Sequence, residues 1–325
     1  MSLTKTSFTL GFIAFAALNL ASPVVAQTQS TCSPEQRKEI ALTAVGNDGG
    51  VIESLRAEHL RLKVGGSPAT ISDVVFHAKY PLDLAVLIDA SVSQEKVLST
   101  AKAAARAFVA SVPATGQDRV AVVSFSDKPT YLQVMSSDLS GLAGLIDQIK
   151  LDIPPGYVGH GVVVSAGPPP NSGAMAGATS LWDVVSTTTT ELFAAKAEKR
   201  RRAMLIFTDG VDTSSSGKLN TVIQEANKRD VAVFSIGLAD SNFHPADEPS
   251  LKKLSEQTGG VAEFPGKKKE KLEAGLTDIA RHLRGSYVVG YCGGAVKDRA
   301  KLELEVTDPV MRKAKTVLVY KRFQH

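Results

Sequence analysis

Asp89, Ser91 and Ser93 put three oxygen-bearing side chains at alternate positions directly after an apolar run, Leu82 to Ile88 (LDLAVLI). Downstream, Asp209 follows a second apolar run, Ala203 to Phe207, across Thr208. In open α/β sheets, ligands gather beyond the carboxyl ends of the strands. If both runs are parallel strands, both carboxylates arrive at one edge. Carboxylates, hydroxyls and water are the donors of a hard divalent cation: Mg²⁺ takes six oxygens and keeps several waters, and Mn²⁺ accepts the same set. Zinc prefers Cys and His, and the six histidines show no paired ligand spacing. Asp and Ser are also favoured helix caps, with Glu95 available to complete a capping box. Capping and metal binding are compatible, but capping leaves Asp209 without a role.

Catalysis has little support. Ser91 and Ser93 sit in no G-x-S-x-G elbow, and no histidine has a recognisable partner for nucleophile activation. His160 lies within the segment 153–178 and reads as the only histidine near the proposed site. A metal hydrolase would need more carboxylate or imidazole ligands.

The elements that must position these residues are legible as alternation. Strands are expected at Leu82 to Ile88, Arg119 to Phe125, Thr130 to Val134, Ala203 to Phe207, Val231 to Leu238 and Val261 to Phe264. Helices are expected at Ser93 to Val112, Leu139 to Ile149, Ser180 to Ala197, Lys218 to Arg229, Pro249 to Thr258 and Glu270 to Arg284. Continuous apolar strands between helices predict an α/β, doubly wound, mostly parallel six-stranded sheet with helices on both faces. Ile153 to Ala178 is a Gly/Pro-rich insert that fits neither pattern. It reads either as a partner-reading loop carrying Val162 to Val164 and Met175, or as a surface excursion.

The flanks differ. Leu60 to Val64, a Gly65-Gly66 turn and Ile71 to Phe76 read as a hairpin. Ser286 to Tyr291, Lys301 to Val306 and Lys315 to Tyr320 read as strands with no helix between them. Pairing of residues 286–325 with 38–80 would give a small β-rich, sandwich-like domain.

Residues 1–26 read as a signal peptide: Lys5, the uncharged stretch Phe8 to Ala21, and a cut after Ala26. The apolar stretch is shorter than the roughly 20 residues of a membrane span. A secreted or periplasmic protein is expected, without stable membrane insertion. About 300 residues would remain, enough for one large or two small domains. Cys32 and Cys292 could bridge in an oxidising compartment or stay as two thiols, and nothing in the sequence fixes their separation. A formal net charge of +4 is too mild to imply a nucleic-acid partner. The basic runs Lys199 to Arg202 and Lys267 to Lys269 read as solvated ends of helices, and Trp182 as core packing. Asp212 reads as either an outer-shell acceptor or a turn residue.

Asp89-x-Ser91-x-Ser93 after the first strand of the sheet resembles the metal-ion-dependent adhesion site (MIDAS) of von Willebrand factor type A (VWA) domains. That family also places a threonine before a later helix and an aspartate after the fourth strand. Gly177-Ala178-Thr179-Ser180-Leu181-Trp182-Asp183 looks like the threonine segment, and Thr208-Asp209-Gly210 like the aspartate segment. Thr187 to Thr190 offers other threonines, but inside the expected helix. The resemblance implies metal ligands Asp89, Ser91, Ser93, Thr179 and Asp209, and a bound Mg²⁺ or Mn²⁺. It covers about Ile52 to Lys321, and the hairpin entry and the LRGSYVVGY tail resemble an exported bacterial subfamily common in acidobacteria. It departs in the length of the insert. The organisation it implies is a flank at 27–80, a VWA domain at 81–285 interrupted by 153–178, and a flank at 286–325. The implied function is metal-dependent adhesion or assembly, with no enzymatic activity, in which a partner's Asp or Glu carboxylate completes the cation's shell. The alternatives are a subunit of a cell-envelope complex and, more remotely, a metal-dependent hydrolase.

Overall fold

The structure is a computed structural model. It describes residues 36–320 except 48–49, 77–79, 112–115, 160–161, 164–177, 194–199, 241–244 and 293–299. The expected signal peptide, Cys32, His160, Val164 and Met175 lie outside the described residues.

Three strands open the chain: β1 (Arg37–Val45), β2 (Leu60–Val64) and β3 (Ser67–Phe76). The central unit follows with β4 (Leu82–Asp89), α1 (Leu98–Ser111), β5 (Arg119–Phe125), β6 (Pro129–Ser136) and α2 (Leu142–Gln148). A two-stranded hairpin, β7 (Tyr157–Gly159) and β8 (Val162–Val163), belongs to the Gly/Pro-rich insert. Then come α3 (Leu181–Leu192), β9 (Arg201–Thr208), α4 (Leu219–Lys228), β10 (Val231–Gly237), α5 (Glu248–Thr258), β11 (Ala262–Glu263) and α6 (Lys269–Arg284). The chain closes with β12 (Ser286–Cys292), β13 (Leu302–Val306), α7 (Pro309–Lys313) and β14 (Val317–Tyr320).

The central sheet has six strands in the order β11-β10-β9-β4-β5-β6. Every pairing is parallel except β5 with β6. All eight residues of β4 are buried, as a strand covered on both faces requires. Leu84, Val86 and Ile88 pack on one face with Phe108 of α1 and Ile279 of α6. Ala85 and Leu87 pack on the other with Val184 of α3, Val222 of α4 and Leu254 of α5. The doubly wound α/β architecture is therefore present. Strand order reverses between β4 and β9, which sets the switch point of the sheet there.

The flanks form a second six-stranded sheet, β13-β2-β3-β12-β1-β14, antiparallel throughout. N-terminal and C-terminal strands are interleaved in it around a core of Ile40, Leu42, Leu62, Val289 and Leu302. Its two edge strands approach each other: the Leu304 N–H donates to the Tyr320 hydroxyl at 2.8 Å. Cys292 stands opposite Arg37 in the β1–β12 register, five residues downstream of Cys32 in sequence.

Two elements differ from expectation. Between β13 and β14 the chain makes the short helix α7, where no helix was expected. Asp308 caps it by accepting the Met311 N–H at 2.8 Å, and Pro309 stands at its first turn. Lys199 to Arg202 does not close a helix in the described residues, because β9 starts within it at Arg201. Arg200 pairs with Asp83 at 2.7 Å, and Arg119 pairs with the other oxygen of Asp83 at 2.7 Å. Arg200 of the run is thus a structural clamp on a buried carboxylate rather than part of a solvated face.

Candidate metal centre

Asp89 ends β4 and Asp209 follows β9, so the two strands flanking the switch point each deliver a carboxylate to the same edge. Both are buried, at 1% and 2% exposure. Burial pushes the Asp89 carboxyl up to about 7, and the negative charge of Asp209 pushes the same way. Hydrogen bonds from Thr208 and Ser91 oppose that rise but do not cancel it. Two buried carboxylates this close repel unless a proton or a cation lies between them.

The turn after β4 presents its hydroxyls together. The Ser91 N–H donates to Asp89 Oδ1 at 2.9 Å, and the Ser91 and Ser93 hydroxyls lie 3.0 Å apart. Val92–Gln94 is a single 3-10 turn, and the Ser91 side chain makes no capping bond. The helix expected from Ser93 therefore begins only at Leu98, because the intervening residues shape the turn. Glu95 accepts the Tyr157 hydroxyl at 2.8 Å, which ties the stem of the insert beside the turn.

Thr179 is held by its backbone. Its N–H donates to the Thr213 hydroxyl at 2.8 Å, and its carbonyl accepts the N–H of Thr213 at 2.9 Å and of Ser214 at 3.2 Å. The Ser180 N–H donates to the Ser126 carbonyl beyond β5 at 3.0 Å. Thr179 thus stands at the strand-end edge, locked to the segment that follows Asp209, with its residue 5% exposed. Thr188 and Thr189 face the interior of α3 with no exposure, so they do not compete for the edge.

Further polar residues fix these segments. The Thr208 hydroxyl donates to Asp89 Oδ2 at 2.6 Å and accepts the Gly210 N–H at 3.1 Å. Asp212 accepts the Trp182 N–H at 3.4 Å, and Asp183 accepts the N–H groups of Ser216 and Gly217, each at 2.8 Å. Asp212 therefore fastens the loop after β9 to the start of α3. Trp182 is buried in the core cluster beside α3, as its sequence position suggested. Ser126 donates to Asp152, whose N–H donates to the Ala90 carbonyl at 2.8 Å. Sequence reasoning missed Thr208, Asp183, Ser126 and Asp152. Only Thr208, adjacent to Asp209, carried a local signal.

Among the described residues, no group of three or more His, Cys, Asp or Glu is placed to hold a metal. A cation at this edge has to draw on hydroxyls as well as the two carboxylates. That donor set suits a hard divalent ion.

Residues 172–278, about a third of the chain, match the model of the von Willebrand factor type A domain. The matched stretch contains Thr179 and Asp209 and leaves out Asp89, Ser91 and Ser93. No curated protein matches. Among solved structures, the chain is similar to the conserved hypothetical protein BatB from Bacteroides thetaiotaomicron, at 14% identity and TM-score 0.44, over 62% of this chain and 98% of that one. It is similar to a von Willebrand factor type A protein from Catenulispora acidiphila, at 11% identity and TM-score 0.49, over 86% and 71%. It is also similar to proximal thread matrix protein 1 from the mussel byssus with a zinc-occupied MIDAS motif, at 16% identity and TM-score 0.46. That match covers 67% of this chain and 48% of the mussel protein. Residues 172–278, within the doubly wound central unit, are thus similar to the von Willebrand factor type A domain.

Proposed function

We propose that the protein is an exported module that binds a partner protein through a divalent cation, Mg²⁺ or Mn²⁺, at the carboxyl edge of the central sheet. The observation that carries this reading is the buried, mutually repelling pair of Asp89 and Asp209, with the Ser91 and Ser93 hydroxyls together on the turn after β4 and the Thr179 backbone held to the segment after Asp209. Two carboxylates balance a divalent charge, and the neutral hydroxyls add donors without adding charge. Coordination positions left to water can accept a carboxylate from outside. A concentrated local charge at such an edge attracts an Asp or Glu of a partner strongly.

The surroundings suit a protein partner. Ile153 and Val158, at the stem of the insert, are 58% and 65% exposed. They stand close in the chain to Asp152 and Tyr157, which contact the strand-end segments. An acidic residue flanked by apolar ones on a partner would meet cation and apolar rim together. The reading is of a binding protein, free or in an envelope assembly. Export rests on the N-terminal sequence. Among the described residues, no helix is long and apolar enough to cross a membrane.

The test is selection of peptides from a random library on the immobilised protein in Mg²⁺, followed by elution with EDTA. The expected result is enrichment of peptides carrying Asp or Glu, released by EDTA. Peptides that lack carboxylates, or that stay bound in EDTA, would contradict the reading.

A further inference from the structure

Beyond the carboxyl end of β10, between α1 and α6, lies a cavity of about 670 Å³. That volume lies within the range of small-molecule sites, about 300–1,000 Å³. Neither Asp89 nor Asp209 lines it. Its walls are mostly apolar, with Val97, Ala104 and Ala107 from the α1 side, Leu238 from beyond β10, and Leu272 and Leu276 from α6, interrupted by Ser99 and Thr100.

The rim is basic. Lys96, Lys267, Lys268 and Lys269 all border the cavity, against two carboxylates, Asp240 and Glu273. Asp240 is 8% exposed and holds Lys96 at 3.0 Å and Lys267 at 3.5 Å. One buried carboxylate thus gathers ammonium groups from two separate elements. Lys269 pairs with Glu273 at 3.5 Å with both side chains largely exposed, and such a surface pair contributes little. Four cations against two anions leave the mouth net positive, so the 267–269 run serves the cavity rather than only solvent.

An apolar cavity with a net-positive mouth has the polarity of an anionic amphiphile. The geometry points to a binding site for a single-chain fatty carboxylate, its tail between α1 and α6 and its head group on the lysine rim. Each methylene moved from water into such walls changes affinity by about fourfold. The head group exchanges water for ammonium groups already assembled by Asp240. Sites of this kind combine an apolar lining with a few fixed polar groups that set orientation.

Isothermal calorimetry with decanoate, octanoate and 1-decanol on the full chain tests this, below the concentrations at which they aggregate. Decanoate is expected to bind one to one, octanoate about fifteenfold more weakly, and 1-decanol several-fold more weakly than decanoate. Lys267→Gln/Lys268→Gln/Lys269→Gln should weaken decanoate several-fold and leave 1-decanol unchanged. Ala107→Trp, at an exposed position of the wall, should abolish both. Circular dichroism establishes that each variant folds. Absence of decanoate binding, equal affinity for decanoate and 1-decanol, or binding undiminished in both variants would each overturn the proposal.

Discussion

The Thr208 hydroxyl donates a 2.6 Å hydrogen bond to Asp89 Oδ2 across the seam between β4 and β9. It joins the end of one strand to the residue before Asp209 on the other, at the point where strand order reverses. Asp89 Oδ1 is occupied by the Ser91 N–H. The carboxylate is thereby fixed in orientation, as residues behind a ligand often fix it. Thr208→Val keeps the shape and removes the donor. Mg²⁺ affinity by calorimetry should fall by about 10–100-fold, with the fold retained by circular dichroism. Unchanged affinity would show that the bond does not serve the site.

Proton and cation compete for the same edge. The Asp89 carboxyl is raised to about 7, mainly by burial and further by Asp209, against an ordinary value near 4. A raised carboxyl binds its proton more tightly in the folded protein than in the unfolded one. Its contribution to stability is therefore full below about pH 4 and is lost as pH rises through about 7. Without divalent ions, this group should lower the melting temperature over that window. Mg²⁺ binds the ionised form, so the stabilisation it adds should grow from pH 5 to pH 8. Thermal melts with Mg²⁺ and with EDTA across that range measure the difference. A Mg²⁺ increment independent of pH would contradict the coupling.

Gly210 follows Asp209 in a left-handed conformation, φ +80°. A Cβ there would meet Leu251 Cγ at 2.7 Å and Cδ1 at 2.9 Å. The Asp209 carbonyl accepts the Asp247 N–H at 2.7 Å, which ties this turn to the start of α5. Gly210→Ala combines backbone strain with overpacking, and should cost at least about 1 kcal/mol in denaturant unfolding. It should weaken Mg²⁺ as well, since Asp209 moves with the turn.

At the opposite end of β4, Asp83 is 3% exposed between Arg119 and Arg200. Arg200 is nearly buried and Arg119 is partly open to solvent. Removal of one partner from a buried pair leaves an uncompensated charge. Asp83→Ala should destabilise by about 3 kcal/mol in urea unfolding and leave Mg²⁺ affinity unaltered, because the metal edge lies at the other end of the strand. A loss below about 0.5 kcal/mol would show that the arginines are satisfied elsewhere.

The strand ends were readable because a buried parallel strand writes itself as an unbroken apolar run, and Asp89 and Asp209 interrupt that grammar where each run stops. What sat behind them was not readable. Thr208 looks like any strand threonine until its partner 119 residues away is known. Asp183 reads as the first turn of a helix, yet it holds the loop at Ser216 and Gly217. The late start of α1 comes from the turn at Ser91 and Ser93, whose residue types suit a helix cap equally well. Arg200 read as a helix end because its partner Asp83 lies 117 residues earlier. The α7 helix was not readable: Asp308-Pro309 suits a helix start, but five residues between two strands carry too little periodicity to show one.

The most direct measurement is isothermal calorimetry of Mg²⁺ and Mn²⁺ on the protein beside Asp89→Ala and Asp209→Ala, each checked for folding. The account predicts one-to-one binding by the parent protein, lost in both variants. Binding that persists in either variant, or no binding by the parent protein at pH 8, would contradict a cation site built on these two carboxylates.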